Sequence, residues 1–240
     1  MTMRESAASQ HAIAPLDSEG IIGELAAWYH RRARDLPWRR TRDPYRLLVA
    51  EMMLQQTTVA TVLPRYPAWL ERFPDASALA RAEESAALAA WRGLGYYSRA
   101  RNLQAACRIV ADDRGGRWPR SAAELRRLPG VGAYTAAAVA SCAFGEPVAA
   151  VDANVARVVA RLADFRQRSD TAGGRAALAA LAAALLDRRH PARHNNALME
   201  LGATVCTARA PACGRCPLRG HCRAGDPAAL PRRKPRPPVS

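Results

Sequence analysis

Apolar positions recur along this chain at helical spacing rather than strand spacing. Ala, Leu and Arg, all good helix formers, dominate its middle, and no run of alternating β-branched residues marks a sheet. The stretches Ala76–Trp91, Ala100–Asp112, Ser121–Leu128 and Gly174–Leu186 read as amphipathic or buried helices separated by Gly or Pro breaks. Tyr134 to Phe144 and Ala153–Leu162 read as two more, and Ser121 with Glu124 has the spacing of a capping box. The pattern predicts an all-α chain of many short helices without internal repeats. The flanks differ. Residues 1–20 are small, polar and aperiodic and are expected to be disordered, and residues 226–240 (DPAALPRRKPRPPVS) are Pro-rich and basic and are expected to form an extended tail.

The length of 240 residues suits one large domain or two small ones, and 49% hydrophobic residues can support a sizeable core. The N-terminus has no apolar signal-peptide region. The longest uncharged run, Leu128–Gly145, is broken at its start by Pro129, Gly130 and Gly132, and the remainder is too short to span a bilayer. A cytoplasmic, nucleoid-associated protein is therefore expected. The formal charge of +15 points to a polyanionic partner. Lys234 is the only lysine, however, and such an Arg bias can reflect genome composition. Charge alone thus leaves a merely soluble surface as an open alternative.

Four of the six cysteines change the picture. Cys206, Cys213, Cys216 and Cys222 read C-x6-C-x2-C-x5-C within seventeen residues. Thiolates at that density suit zinc or an iron–sulfur cluster. A zinc ribbon usually brings two C-x2-C knuckles, and only Cys213–Cys216 is present. A disulfide knot is disfavoured in a chain large enough to build its own core. Cys107 and Cys142 sit in apolar surroundings and are expected to be buried free thiols.

The remaining candidate chemistry lies upstream. Leu128-Pro129-Gly130-Val131-Gly132 joins two helical segments; its glycines permit a tight turn, and the free N–H groups of the next helix can hold a phosphate. A plain helix–helix turn explains the same motif. Glu51 is the one charge in an apolar run, so desolvation should raise its pKa and suit it to general-acid work; a Glu on an exposed helix stripe is the alternative. Asp152 opens the segment Ala153–Leu162, where N-capping alone would explain it. The helix end should favour its ionised form, so the two carboxyl groups are expected to shift in opposite directions. Gln55-Gln56-Thr57 and Gly93-Leu94-Gly95-Tyr96-Tyr97 add polar and aromatic groups able to wedge into a duplex or stack on bases.

Together these motifs are recognisable. The chain resembles the helix–hairpin–helix DNA glycosylases of the endonuclease III superfamily, most of all the catalytic domain of MutY-type adenine glycosylases. The resemblance runs from Leu36-Pro37-Trp38-Arg39 through Glu51–Thr57, Gly93–Asn102, Leu128–Thr135 and Val151–Val155 to Leu201–Cys222. It implies a [4Fe-4S] cluster on the four cysteines, with a six-helix barrel over 36–146. A cluster domain from 21–35 and 147–225 would complete the fold, with the DNA-binding cleft between the two. By resemblance, Glu51 protonates adenine, Asp152 stabilises or traps the oxocarbenium ion, and Tyr134 and Asn154 support them. Gln55, Gln56, Thr57, Leu94 and Tyr96 would contact DNA, as would the hairpin residues Leu128, Gly130, Val131, Gly132 and Thr135.

Strand-cleaving members of the superfamily carry Lys where this chain has Tyr134, so a monofunctional, monomeric glycosylase is expected, acting on adenine opposite 8-oxoguanine or guanine in double-stranded DNA. A mismatch glycosylase removing thymine or uracil opposite guanine is the near rival. Two departures stand out. The C-terminal domain of full-length adenine glycosylases does not follow the cysteines, and Asn196 stands where some relatives carry Glu or Gln.

Overall fold

The computed structural model describes residues 16–234, and every regular element among them is helical. The first helix, α1 (Ser18–Arg32), begins inside the stretch expected to be disordered, because Asp17 accepts from the Gly20 N–H (3.0 Å) and caps it. Residues 1–15 of that stretch lie outside the described residues.

Eight helices then share one core: α2 (Pro44–Leu54), α3 (Val59–Val62), α4 (Arg65–Arg72), α5 (Ala76–Arg81), α6 (Glu84–Ala90), α7 (Ser98–Arg108), α8 (Ala122–Leu125) and α9 (Ala133–Phe144). Its centre holds Tyr45, Trp69 and Trp91, with Trp69 edge-on to Trp91 at 5.3 Å. A second core gathers α1 with α10 (Ala153–Leu162), α11 (Ala172–Ala184) and α12 (Pro191–Thr204). On α10, Val155, Val158, Val159 and Leu162 are all buried, each contributing about 1.5–3 kcal/mol. The Ala-rich α9 packs against α2 on one side and α12 on the other. Its small side chains allow both approaches. No helix among the described residues is long and apolar enough to cross a membrane.

Several boundaries differ from the periodicity. The single helix expected over Ala76–Trp91 is two, because Ala82 and Glu83 are extended. The buried Gln104 amide donates to the carbonyls of Leu79 (3.1 Å) and Ala82 (2.7 Å), satisfying groups that the break leaves open. The helix expected over Ala100–Asp112 ends at Arg108 and widens into a π-helical turn, Ile109–Asp113. Only four residues of Ser121–Leu128 are helical, but the Ser121–Glu124 capping box forms. α11 starts ahead of Gly174 because Thr171 caps it, accepting from the Gly174 N–H at 3.0 Å.

The C-terminal segment is not a free tail over its described part. Leu230 is buried, the Ser169 N–H and hydroxyl donate to the Arg232 carbonyl (2.9 and 3.0 Å), and the Lys234 N–H donates to Asp170 (3.0 Å). A buried Leu and three hydrogen bonds outweigh the extended habit of the Pro-rich composition. Residues 235–240 lie outside the described residues.

Candidate active site

Glu51 occupies the last turns of α2, among side chains of the first core, and its Oε2 is sealed from solvent with no hydrogen-bond partner. Burial pushes its carboxyl from the ordinary 4.5 to about 7; the Tyr134 phenol pulls it down in part, and the nearby Asp152 pushes it further up. Tyr134, at the start of α9, holds its hydroxyl 3.1 Å from Met199 Sδ of α12 as well as beside Glu51. Cys142 and Asn196 lie on the same side: the Asn196 amide approaches the Cys142 sulfur at 3.7 Å, and burial, then the Glu51 charge, raises that thiol to about 11. Cys142 is only half-buried, whereas Cys107 is fully buried as expected.

Asp152 is the N-cap of α10. Its carboxylate accepts from the Val155 N–H and from the Asn154 amide, both at 2.7 Å. Asn154 is held in turn by Arg157, which donates to its Oδ1 at 2.8 Å, and by Gly202, where any Cβ would sit 2.6 Å from that of Asn154. The expected opposite shifts of the two carboxyl groups do not occur. Burial raises Asp152 as well, outweighing the capping N–H groups that lower it. The helix end still favours the anion, but partial burial of the carboxyl outweighs it. The pair therefore differs in hydrogen bonding rather than in sign: Asp152 has donors on both oxygens, and Glu51 Oε2 has none.

A cavity of about 650 Å³ opens at Asp152 and Tyr134. Glu51 is not among the residues that line it, but it interacts with Tyr134, which is. At the other end of the site, the turn Leu128–Gly132 leads into α9. Gly130 has a φ of +72°, and a Cβ there would lie 2.7 Å from that of Asn102. No side chain caps the first N–H groups of α9, which leaves them available to an anion. Thr135 is buried and meets the Gln55 amide at 3.5 Å.

The loops carrying Gln56 and Tyr96 lie side by side, and both residues are left-handed (φ 58° and 46°). Tyr96 is 64% exposed, while Leu94 is packed into the core. The residue that joins these loops escaped the sequence reading. Arg99 is 6% exposed. One guanidinium nitrogen donates to the carbonyls of Met52 (2.8 Å), Met53 (3.1 Å) and Gln55; the other donates to those of Leu94 (2.7 Å) and Gly95 (3.0 Å) and to the Thr57 hydroxyl (3.4 Å). Its signal was a charge in register with Leu103 and Ala106 on the apolar face of α7. Asn195 was also missed. It donates to the Ser141 hydroxyl (3.0 Å) and the Val148 carbonyl (2.9 Å) and accepts from the Ala150 N–H (3.1 Å), fixing the link that delivers Asp152.

Cys206, Cys213, Cys216 and Cys222 line one cavity of about 330 Å³ beyond α12. Burial and the neighbouring sulfurs raise Cys216 to about 11, and burial first raises Cys222, so four thiolates there require a cationic centre. An all-thiolate set around a shared space fits a multi-iron cluster. Buried Arg161 secures the first ligand, donating to Cys206 Sγ (3.2 Å) and to the Thr207 (2.7 Å) and Ala208 (3.1 Å) carbonyls.

Comparison with known proteins agrees with this layout. Residues 49–181 match the family model for the HhH-GPD superfamily base excision DNA repair protein, and residues 206–222 match the iron–sulfur binding domain of endonuclease III. The chain is 46% identical over 209 residues to an adenine DNA glycosylase of Mycolicibacterium smegmatis, covering 85% of this chain and 70% of that protein. It is 45% identical over 211 residues to the human adenine DNA glycosylase, covering 84% of this chain but 39% of the human protein. Among solved structures, a thermostable thymine-DNA glycosylase superposes with a TM-score of 0.77 at 31% identity, covering 86% of this chain and 95% of that one.

Proposed function

This chain belongs to the HhH-GPD superfamily of base excision DNA repair proteins, and from that premise we propose that it is a monofunctional adenine DNA glycosylase. The substrate is adenine mispaired with 8-oxoguanine or guanine in double-stranded DNA. The observation that carries the reading is the pair of partly buried carboxyl groups that both act on Tyr134: Glu51, shifted to about 7, and Asp152, held by two donors.

In this mechanism the extruded adenine enters beside Tyr134, and Glu51 in its protonated form donates to a ring nitrogen. The N-glycosidic bond then breaks, its electron pair leaving with the neutral base. The positive charge left at C1′ is stabilised by the Asp152 carboxylate, whose other interactions are fixed by Asn154 and the Val155 N–H. Water adds at C1′ and loses a proton to solvent, which yields an abasic site, and the Glu51 carboxylate takes up a proton in turn to restore the acid. Strand cleavage by Schiff-base chemistry needs an amine on the cavity wall, and Lys234, the only lysine, does not line it.

The uncapped start of α9 and the left-handed turn at Gly130 support phosphate binding by the hairpin, and the loops joined by Arg99 support entry into the duplex. The two cores support a barrel domain over 36–146 and a cluster domain from 21–35 and 147–225, with DNA between them. Cys206, Cys213, Cys216 and Cys222 would hold a [4Fe-4S] cluster, which when bound supplies a fixed cross-link among four loop positions. A monomer acting at the nucleoid completes the reading.

The test is a panel of duplexes with one mismatch each, under single-turnover conditions. Adenine release from pairs with 8-oxoguanine or guanine, without strand cleavage, is expected. Release of only thymine or uracil opposite guanine would replace the reading with that of a mismatch glycosylase.

A further inference from the structure

The cavity at Asp152 has cations on its wall as well as a carboxylate. Its sides include small residues, Ala153 and Ala156 of α10 and Ala176 and Ala179 of α11, which leave room for a bulky ligand between the helices. Arg175 and Arg233 line it too. Arg233 arrives there because its neighbours on both sides are fixed: Arg232 accepts from the Ser169 N–H and hydroxyl, and the Lys234 N–H donates to Asp170.

The charges around Arg175 and Arg233 do not cancel. Asp170 is fully engaged, accepting two hydrogen bonds from Arg168 (3.0 and 2.9 Å) as well as that from Lys234. Arg175 donates to the Asp170 carbonyl (2.7 Å) and has no carboxylate partner among the described residues. Arg233 forms neither a hydrogen bond nor an ion pair with the described residues, although its charge is felt by Arg157 next to Asp152. An unpaired guanidinium held by backbone anchors beside other cations is arranged for an anion from outside the protein.

We infer that Arg233, with Arg175, forms a phosphodiester subsite for the target strand, gripping the backbone next to the nucleotide whose sugar faces Asp152. The inference rests on the glycosylase reading, which puts that sugar at Asp152; the phosphates flanking a sugar are its nearest charges. It gives the segment 230–234 a task that its composition does not disclose: it acts as a strap that brings a cation to the reacting nucleotide. It also accounts for a cavity larger than Asp152 and Tyr134 alone need.

The experiment uses the full chain and an uncleavable mismatch duplex. Arg233→Ala changes an exposed side chain and should leave the fold intact. Its affinity is expected to fall about 3–10-fold, and the slope of log Kd against log salt concentration to shrink by about 0.9, the release of one phosphate's counterion. Arg233→Lys should recover the slope. A neutral methylphosphonate placed singly at each phosphate flanking the target nucleotide localises the contact. At one position it should weaken wild-type binding while leaving Arg233→Ala unaffected. Equal methylphosphonate penalties in both proteins, or an unchanged slope in Arg233→Ala, would overturn the subsite. The two readings fail separately: a wild type that releases no adenine but keeps an Arg233-dependent slope loses the proposed reaction and keeps the subsite.

Discussion

Replacing Glu51 with Gln should separate chemistry from stability in a way that only a proton-holding carboxyl can produce. Folding raises the Glu51 pKa from about 4.5 to about 7. Between those values the folded protein binds the proton more tightly than the unfolded chain does. Stability is therefore fully present below about 4.5, falls as the pH rises to about 7, and is flat above. A shift of about 2.5 units corresponds to roughly 3 kcal/mol at alkaline pH, of which about 2.5 kcal/mol is lost between pH 5 and pH 8. Gln has nearly the same shape and does not titrate. Its amide carries a desolvation cost of about 1–3 kcal/mol, but that cost does not change with pH. Denaturant unfolding of both proteins across pH 5–8 should thus show Glu51→Gln gaining about 2.5 kcal/mol on the wild type, or about 5–10 °C in Tm. Over the same range, wild-type excision under single-turnover conditions should fall about tenfold per pH unit above 7, and the variant should be about 10²–10⁴-fold slower below pH 7 without sharing that fall. A stability difference that stays level within about 0.5 kcal/mol from pH 5 to pH 8 would refute the raised pKa and, with it, the general-acid assignment.

Three further outcomes follow from the geometry. Asp152→Asn keeps an N-cap residue and should change unfolding free energy by less than about 1 kcal/mol while slowing excision at least about 10²-fold, so a loss of stability matching the loss of rate would contradict its catalytic placement. Arg99→Lys retains the charge but cannot reach two loops at once; it should cost about 2–4 kcal/mol in denaturant unfolding and reduce the fluorescence rise of a 2-aminopurine target on extrusion. Gly130→Ala meets both a left-handed φ and the Asn102 side chain, so a stability loss of about 1–3 kcal/mol and at least about tenfold weaker duplex binding are expected, by unfolding and by titration of labelled DNA.

What could be read from the chain was what short-range chemistry determines. The isolated charge of Glu51 in an apolar run, the turn at Leu128–Gly132 and the Ser121–Glu124 box depend on neighbours within a few residues, and all three have their expected form. The direction of the Asp152 shift failed for the complementary reason. The capping N–H groups that lower it are local and visible, whereas the burial that raises it is set only when the chain folds around it. Arg99 and Asn195 were missed on the same account, since each looks like an ordinary polar residue on a helix until the loops it holds are brought beside it. The break at Ala82 depended on Gln104, more than twenty residues distant. Composition misled most at the C-terminus, where proline and arginine suggested a free tail and one buried leucine held the segment to the body.

Arg161 makes two remote parts of the molecule answer to each other. The nitrogens that grip Cys206, Thr207 and Ala208 belong to the same planar group as the Nε that donates to the Leu230 carbonyl (3.1 Å) at the root of the C-terminal segment. A guanidinium cannot tilt toward one set of partners without drawing away from the other. Whatever loosens the cysteine loop will also slacken the anchorage of Leu230, three residues before Arg233, and tension on that segment will be felt at Cys206. The buried cation is a shared anchor: the cysteine loop and the root of the segment that carries Arg233 depend on one guanidinium.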